Sequence, residues 1–167
     1  MIRVDTTALT LTTADGRTLD CTIGRAGPCP AATKREGDGH TPLGTWPVRA
    51  ALFRRDRVTP PPGLTLPWRW IAPSDGWSDA PHDPAYNRPG VHPHPVSAER
   101  LWRDDGLYDV IVLLGHNDAP PVPNRGSAIF LHCRDADRPT EGCVAVARAD
   151  LLALLPGVRM GDVVAIE

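Results

Sequence analysis

SAIFLHCRDADRPTEGCVAVARADLLALL, residues 127–155, places an apolar run, a charged loop, a second apolar run and a helical segment in that order. Ser127 to Leu131 reads as a strand, because Ala128, Ile129, Phe130 and Leu131 are consecutively apolar and charged residues and Pro139 follow them. His132 then stands at a strand end. Gly142 and Cys143 lead into the apolar segment Val144 to Ala147. Asp150 to Leu155 carries apolar residues at helical density until Pro156 and Gly157 stop it.

A free cysteine thiol titrates near roughly 8.5, so a nucleophilic cysteine needs a group that takes its proton. His132 is the candidate base and Cys143 the candidate nucleophile. Ten residues intervene between them, too many for neighbours on one helix, but two strand ends joined by a loop bring such a pair together. A thiol activated in this way is expected to alkylate below the free-thiol titration. Gly142 fits the same chemistry, because a missing side chain lets a carbonyl approach and lets the N–H groups of Gly142 and Cys143 turn toward one oxyanion. A backbone carbonyl, Asp135 or Asp137 would orient His132. The competing reading of the same residues is a buried small thiol and a structural histidine.

The run from His132 through Thr140-Glu141-Gly142-Cys143-Val144 resembles the signature of L,D-transpeptidases of the YkuD family, in which a histidine precedes a Ser/Thr-x-Gly-Cys-hydrophobic element. Upstream, GDGHTPLGTW at Gly37 to Trp46 is similar to that family's glycine-rich T-P-x-G-x-aromatic segment. Glu141 stands where the family commonly has His, and Ala145 where it often has Arg. The spacing between His132 and Cys143 is also short, which suggests a compact branch. The resemblance implies a mainly β fold, a YkuD-like mixed β-sandwich with a few short helices. It implies acyl transfer through a thioester on Cys143, from a diaminopimelate-containing peptidoglycan stem peptide to an amine of another stem, with no cofactor. Water as acceptor would make an L,D-carboxypeptidase, and loss of chemistry an inactive wall-binding domain. Thr140, with Tyr86, Arg88 and His116, is a candidate substrate contact.

At 167 residues the chain suits a single domain, 1–167, expected as a monomer. With 18 basic and 20 acidic residues its formal charge is -2, which excludes a general polyanion binder, so nucleic acid is not expected as a partner. Its 19 Pro and 15 Gly are spread along the chain and favour turns over long helices. No stretch reaches membrane-spanning length. The opening MIRVDTTALTLTTADG lacks an export signal. A wall enzyme works in the periplasm, so either a leader is removed or another route serves, and cytoplasmic work on wall fragments is the alternative. Cys21, Cys29, Cys133 and Cys143 follow no paired zinc spacing, and Cys21 and Cys29 suit either a disulfide or separate thiols.

Taken in order, Leu9 to Thr13 and Thr18 to Ile23 alternate around Asp15-Gly16 and predict a hairpin. Residues 24–45 are expected as loop, Trp46 to Leu52 as strand, and Trp68 to Ala72 as a strand behind Pro60-Pro61-Pro62-Gly63. Pro73 to Pro95 is expected as a long loop, in which Tyr86, Asn87 and Arg88 offer a ring, an amide and a charge to a peptide ligand. His82, His92 and His94 lie there among prolines without a third ligand pattern, so no metal is expected. Ser97 to Arg103 is predicted as a short helix, Tyr108 to Gly115 as a buried strand ending beside His116, and Asp162 to Glu167 as the last strand.

Overall fold

The computed structural model describes residues 1–167. In chain order the strands are β1 Ile2–Asp5, β2 Thr10–Thr12, β3 Thr18–Thr22, β4 Pro28–Pro30, β5 Thr41–Arg54 and β6 Trp68–Ile71. They continue as β7 Asp75–Ser78, β8 Pro89–Val91, β9 Ala98–Arg100, β10 Val110–Leu114, β11 Phe130–Cys133 and β12 Val144–Val146. Helix α1, Arg148–Leu154, and strand β13, Val163–Ile166, complete the set with two single 3-10 turns. The fold is mainly β, as the sequence predicts.

The predicted hairpin is β2–β3, with Gly16 at φ +87 in its turn. One sheet runs β10-β11-β12-β3-β2-β1-β13-β5, and β5 also pairs with β10, so the circuit closes. A single long strand does this. Its first half, Gly44 to Pro47, pairs with β13, and its second half, Val48 to Phe53, pairs with β10. The sheet is mixed: β1 with β13, β11 with β12 and β5 with both β4 and β6 are parallel, and the other pairs are antiparallel. Twenty-two buried residues fill its interior, among them Leu131, Val144, Val112 and Phe53.

Three expectations need correction. The T-P-L-G segment is strand, because β5 begins at Thr41 rather than Trp46. Its prolines are compatible with a ladder where a carbonyl, not an N–H, is required: Pro47 accepts from the Gly115 N–H at 2.8 Å. Residues 73–95 are not one loop, since β7 and β8 form two strands of a separate sheet ordered β8-β7-β9. Ser97 to Arg103 is not helical, because Ala98–Arg100 pairs with β7, and sheet partners from elsewhere in the chain override the local helical density. Strand β1 also had no counterpart among the predicted elements.

The small sheet covers the outer face of β5, β10 and β11. A second apolar cluster lies between them, containing Leu52, Ile71, Leu101, Tyr108, Ile111, Phe130 and Cys143. The Trp77 ring meets Phe130 edge-on at 5.1 Å between centroids. All four cysteines are free and buried, so Cys21 and Cys29 are separate thiols. No helix is long and apolar enough to cross a membrane.

Candidate active site

Strands β11 and β12 run parallel with Leu131 opposite Val144 and His132 opposite Ala145. Side chains alternate across a strand, so Leu131, Cys133, Val144 and Val146 enter the main core while Phe130, His132, Cys143 and Ala145 share the outer face. His132 therefore lies within β11, not beyond its end. His132 and Cys143 both line one cavity of about 490 Å³, at 4% and 8% exposure. Cys133 faces the other way, and its thiol lies against the Val110 carbonyl.

The Cys143 thiol donates to the Ala128 carbonyl at 3.1 Å and accepts from the Phe130 N–H at 3.3 Å. His132 Nδ1 lies 2.8 Å from the Cys133 carbonyl. A carbonyl only accepts, so Nδ1 carries the proton and the Nε2 lone pair is the basic position. The orienting group is thus a backbone carbonyl. Asp135 lines the cavity without bonding His132, and the exposed Asp137 lies 3.6 Å from the Arg134 guanidinium. Burial pushes the Cys143 thiol up to about 12, with the Glu99 carboxylate adding to the shift. Burial also lowers the His132 imidazole to about 4. Burial thus favours a neutral thiol and a neutral imidazole in the resting pair.

Backbone geometry around the thiol is locked from several sides. Gly142 has φ +141, and a Cβ there would sit 2.8 Å from the His40 carbonyl. Thr140 Oγ1 accepts from the Gly142 N–H at 3.1 Å and donates to the Cys143 carbonyl at 2.7 Å. Thr41 Oγ1 donates to the Gly142 carbonyl at 2.9 Å and accepts from the Gly24 N–H at 2.8 Å. The two motifs read from the sequence, one at 37–46 and one at 132–144, therefore meet at Gly142. Ala128, whose carbonyl accepts the thiol hydrogen bond, sits at φ +51. This left-handed backbone is costly for a residue with a Cβ, and strain of this kind gathers at functional sites.

The other candidate contacts divide. Thr140 lines the cavity. Tyr86, Arg88 and His116 are absent from its wall. Tyr86 is buried and donates its hydroxyl to Glu36. Arg88 donates to the Asp118 carbonyl at 2.6 Å and to the Asn87 carbonyl at 3.2 Å. His116 is buried edge-on against Trp46, with Nε2 donating to the Arg125 carbonyl at 3.0 Å. These three fasten the loops around the cavity. Glu141 is exposed and pairs with Arg25 at 2.8 Å.

Sequence reasoning missed four cavity residues. Tyr108 stacks edge-on against the His132 ring at 5.2 Å and donates to Glu99. Lys34 is buried, pairs with Asp38 and holds Nζ close to Gly142, where its positive charge acts to lower the thiol. Asp79 follows β7, and Glu99 lies in β9. Only the pairing of that small sheet brings the two carboxylates to the cysteine, so no local motif announces them. His94 pairs with Asp83 at 2.8 Å, away from the cavity, and no three His, Cys, Asp or Glu side chains converge as metal ligands.

Residues 1–166 match the family model described as "YkuD: L,D-transpeptidase catalytic domain". No curated protein matches the chain. Among solved structures, L,D-transpeptidase 3 from Mycobacterium tuberculosis is similar at 15% identity and a TM-score of 0.47, over 99% of this chain and 60% of that one. The same enzyme in complex with a faropenem-derived adduct is similar at 14% identity and a TM-score of 0.46, over 99% and 59%. The chain therefore spans about 60% of the length of these proteins.

Proposed function

Because the chain belongs to the YkuD family of L,D-transpeptidase catalytic domains, we propose that residues 1–167 are one catalytic domain that transfers an acyl group through a thioester on Cys143. The observation that supports this is the shared face of β11 and β12, from which Cys143 and His132 line the same cavity. The acyl donor is a peptidoglycan stem peptide attacked at the diaminopimelate carbonyl, and the acceptor is an amine of another stem. Its setting is the cell wall on the periplasmic side, and it acts as a monomer.

Attack starts from the neutral pair. The substrate carbonyl enters the cavity, the thiol leaves the Ala128 carbonyl, and its proton passes to Nε2 of His132 as the carbon–sulfur bond forms. Nδ1 stays bonded to the Cys133 carbonyl, which favours the imidazolium as it forms. That proton then goes to the leaving amine. In the second half His132 takes a proton from the incoming amine as it attacks, the carbon–sulfur bond breaks, and the proton passes from Nε2 to the departing Cys143 sulfur, which restores the neutral pair. The Gly142 N–H is already held by Thr140, which leaves the Cys143 N–H to bind the oxyanion, a role worth roughly 3 kcal/mol in other enzymes.

Incubation with muropeptides, read by mass, tests the reaction: cross-linked dimers are expected, whereas tripeptides alone would assign water as the acceptor. A carbapenem should acylate the protein once, and Cys143→Ala should abolish the adduct while Cys133→Ala keeps it. An adduct on Cys133, or none on the intact protein, would sink the assignment.

A further inference from the structure

Acyl transfer places negative charge on the Cys143 sulfur twice, when the thiol gives up its proton and when the thioester breaks, and burial penalises that charge each time. A cation held near the sulfur offsets the penalty, and salt screens a buried charge much less than an exposed one. Lys34 and four arginines line the cavity. Arg100 and Arg138 are exposed, Arg103 is bound to Asp105, and Arg134 lies 3.6 Å from Asp137. Lys34 differs from all of them in being only 2% exposed.

The chain builds a seat for this side chain. Lys34 follows the 3-10 turn Ala31–Thr33 and runs its stem past Gly126, where a Cβ would sit 2.9 Å from Cε and 3.1 Å from Cγ. Gly126 is also at φ +88, so the backbone and the lysine both exclude a side chain there. The ammonium ends beside Gly142, where a Cβ would sit 3.6 Å from Nζ. It donates to the Asp38 carboxylate and to the Arg35 carbonyl at 3.1 Å. An ammonium has three N–H donors, so one is left without a protein acceptor beside the residue that precedes the nucleophile. Of the charges around the thiol, Glu99 raises it and Lys34 lowers it, whereas Arg103 acts on Glu99, Tyr108 and His132.

We propose that Lys34 stabilises the negative charge on the Cys143 sulfur in both halves of the reaction. His132 takes the thiol proton on Nε2, the sulfur keeps the electron pair, and the ammonium stays protonated and holds that charge until the carbon–sulfur bond forms. When the thioester breaks, the electron pair returns to the sulfur beside the same ammonium, and Nε2 gives the proton back. The charge on sulfur arises in any reaction of the thiolate, and only its use in both halves rests on the acyl-transfer reading.

Iodoacetamide tests the role, because it is uncharged and alkylates Cys143 without acyl transfer, with rates mapped by mass from about pH 7 to about pH 9. Lys34→Met should be slower than the intact protein by about threefold at each pH. A titration displaced by about one pH unit removes about tenfold of the thiolate, and the stronger nucleophilicity of the more basic sulfur returns about threefold. Asp38→Asn breaks the same ion pair but keeps the ammonium, so its rate should equal or exceed that of the intact protein. A lysine that serves the fold alone predicts otherwise: both variants slow equally, in step with their loss of stability in urea. The double variant Lys34→Met/Asp38→Asn removes the pair without stranding a carboxylate and should be as slow as Lys34→Met, so the comparison survives if the single variant does not fold. Equal rates in all forms, or a slowing in Asp38→Asn that matches Lys34→Met, would overturn the role. Acyl transfer reads out separately: no carbapenem adduct on the intact protein, with Lys34→Met still slowing alkylation, rejects that reading and keeps the lysine.

Discussion

Asn87 makes four hydrogen bonds from one side chain that is 4% exposed. Its Oδ1 accepts from the Trp77 indole at 2.9 Å and from the Ala128 N–H at 3.0 Å, and its amide donates to the carbonyls of His116 and Asn117. This holds Ala128 in its left-handed backbone and aims its carbonyl at the Cys143 thiol. Asn87→Ala should cost about 3 kcal/mol in urea unfolding, because it leaves several buried groups unpaired, and should slow carbapenem acylation as well. Thr140→Val frees both the Gly142 N–H and the Cys143 carbonyl, with an expected loss of about 2 kcal/mol and roughly tenfold in acylation rate. The thiol itself is pushed up to about 12, so iodoacetamide alkylation of Cys143 should climb with pH through 9 with no plateau near neutrality. A plateau below pH 8 would show a preformed thiolate. Arg88→Ala should reduce stability and every Cys143 reaction in parallel, because its guanidinium holds backbone carbonyls rather than the cavity.

The three-stranded sheet β8-β7-β9 is the element on which the site depends most. It is too small to stand alone, since its burial comes from lying on Phe130, Tyr108 and Ile111 through Trp77 and Leu101. Arg54 helps to fix it: 2% exposed, it pairs with Asp56, stacks on the Trp102 ring at 3.7 Å and donates to the Arg103 carbonyl. Trp77→Ala removes both an aromatic contact and the indole bond to Asn87, and about 3 kcal/mol is expected to go with them. Trp77→Phe keeps the ring and should lose less. Hydrogen exchange would then show amides of β8 and β9 opening before those of β11 and β12, and equal protection of all four would contradict this dependence.

For the whole molecule, the buried neutral histidines set a pH dependence. His132 titrates at about 4 when folded and near 6.5 when exposed, so between those values the unfolded chain binds more protons. Stability from this group is complete above about pH 6.5 and is lost as pH falls toward 4, by up to about 3 kcal/mol. His116, lowered by burial, acts in the same direction. Denaturant unfolding from pH 7 to pH 4 should show this loss, and His132→Gln should flatten it. A slope unchanged by that variant would mean that carboxylates dominate the acid limb.

Periodicity within a few residues was enough for the mainly β class, for the β2–β3 hairpin, for the apolar strands at β10 and β12, and for helix α1, because each depends on its own side chains, whereas the strand read over 127–131 lies at Phe130–Cys133, where pairing with β10 and β12 sets its bounds. The spacing of His132, Gly142 and Cys143 likewise stands in one short stretch, and strand alternation alone separates Cys133 from Cys143. Sequence could not reveal that His132 and Cys143 share a face, since that follows from parallel pairing with Leu131 opposite Val144, a choice made between distant segments. The same is true of Tyr86, which turns inward to Glu36, of Asn87 and Arg88, whose polar groups meet backbone partners, and of Glu99, which a small sheet carries to the thiol. Burial decided the rest: only the folded chain removes water from the thiol and the imidazole, and that desolvation keeps both neutral.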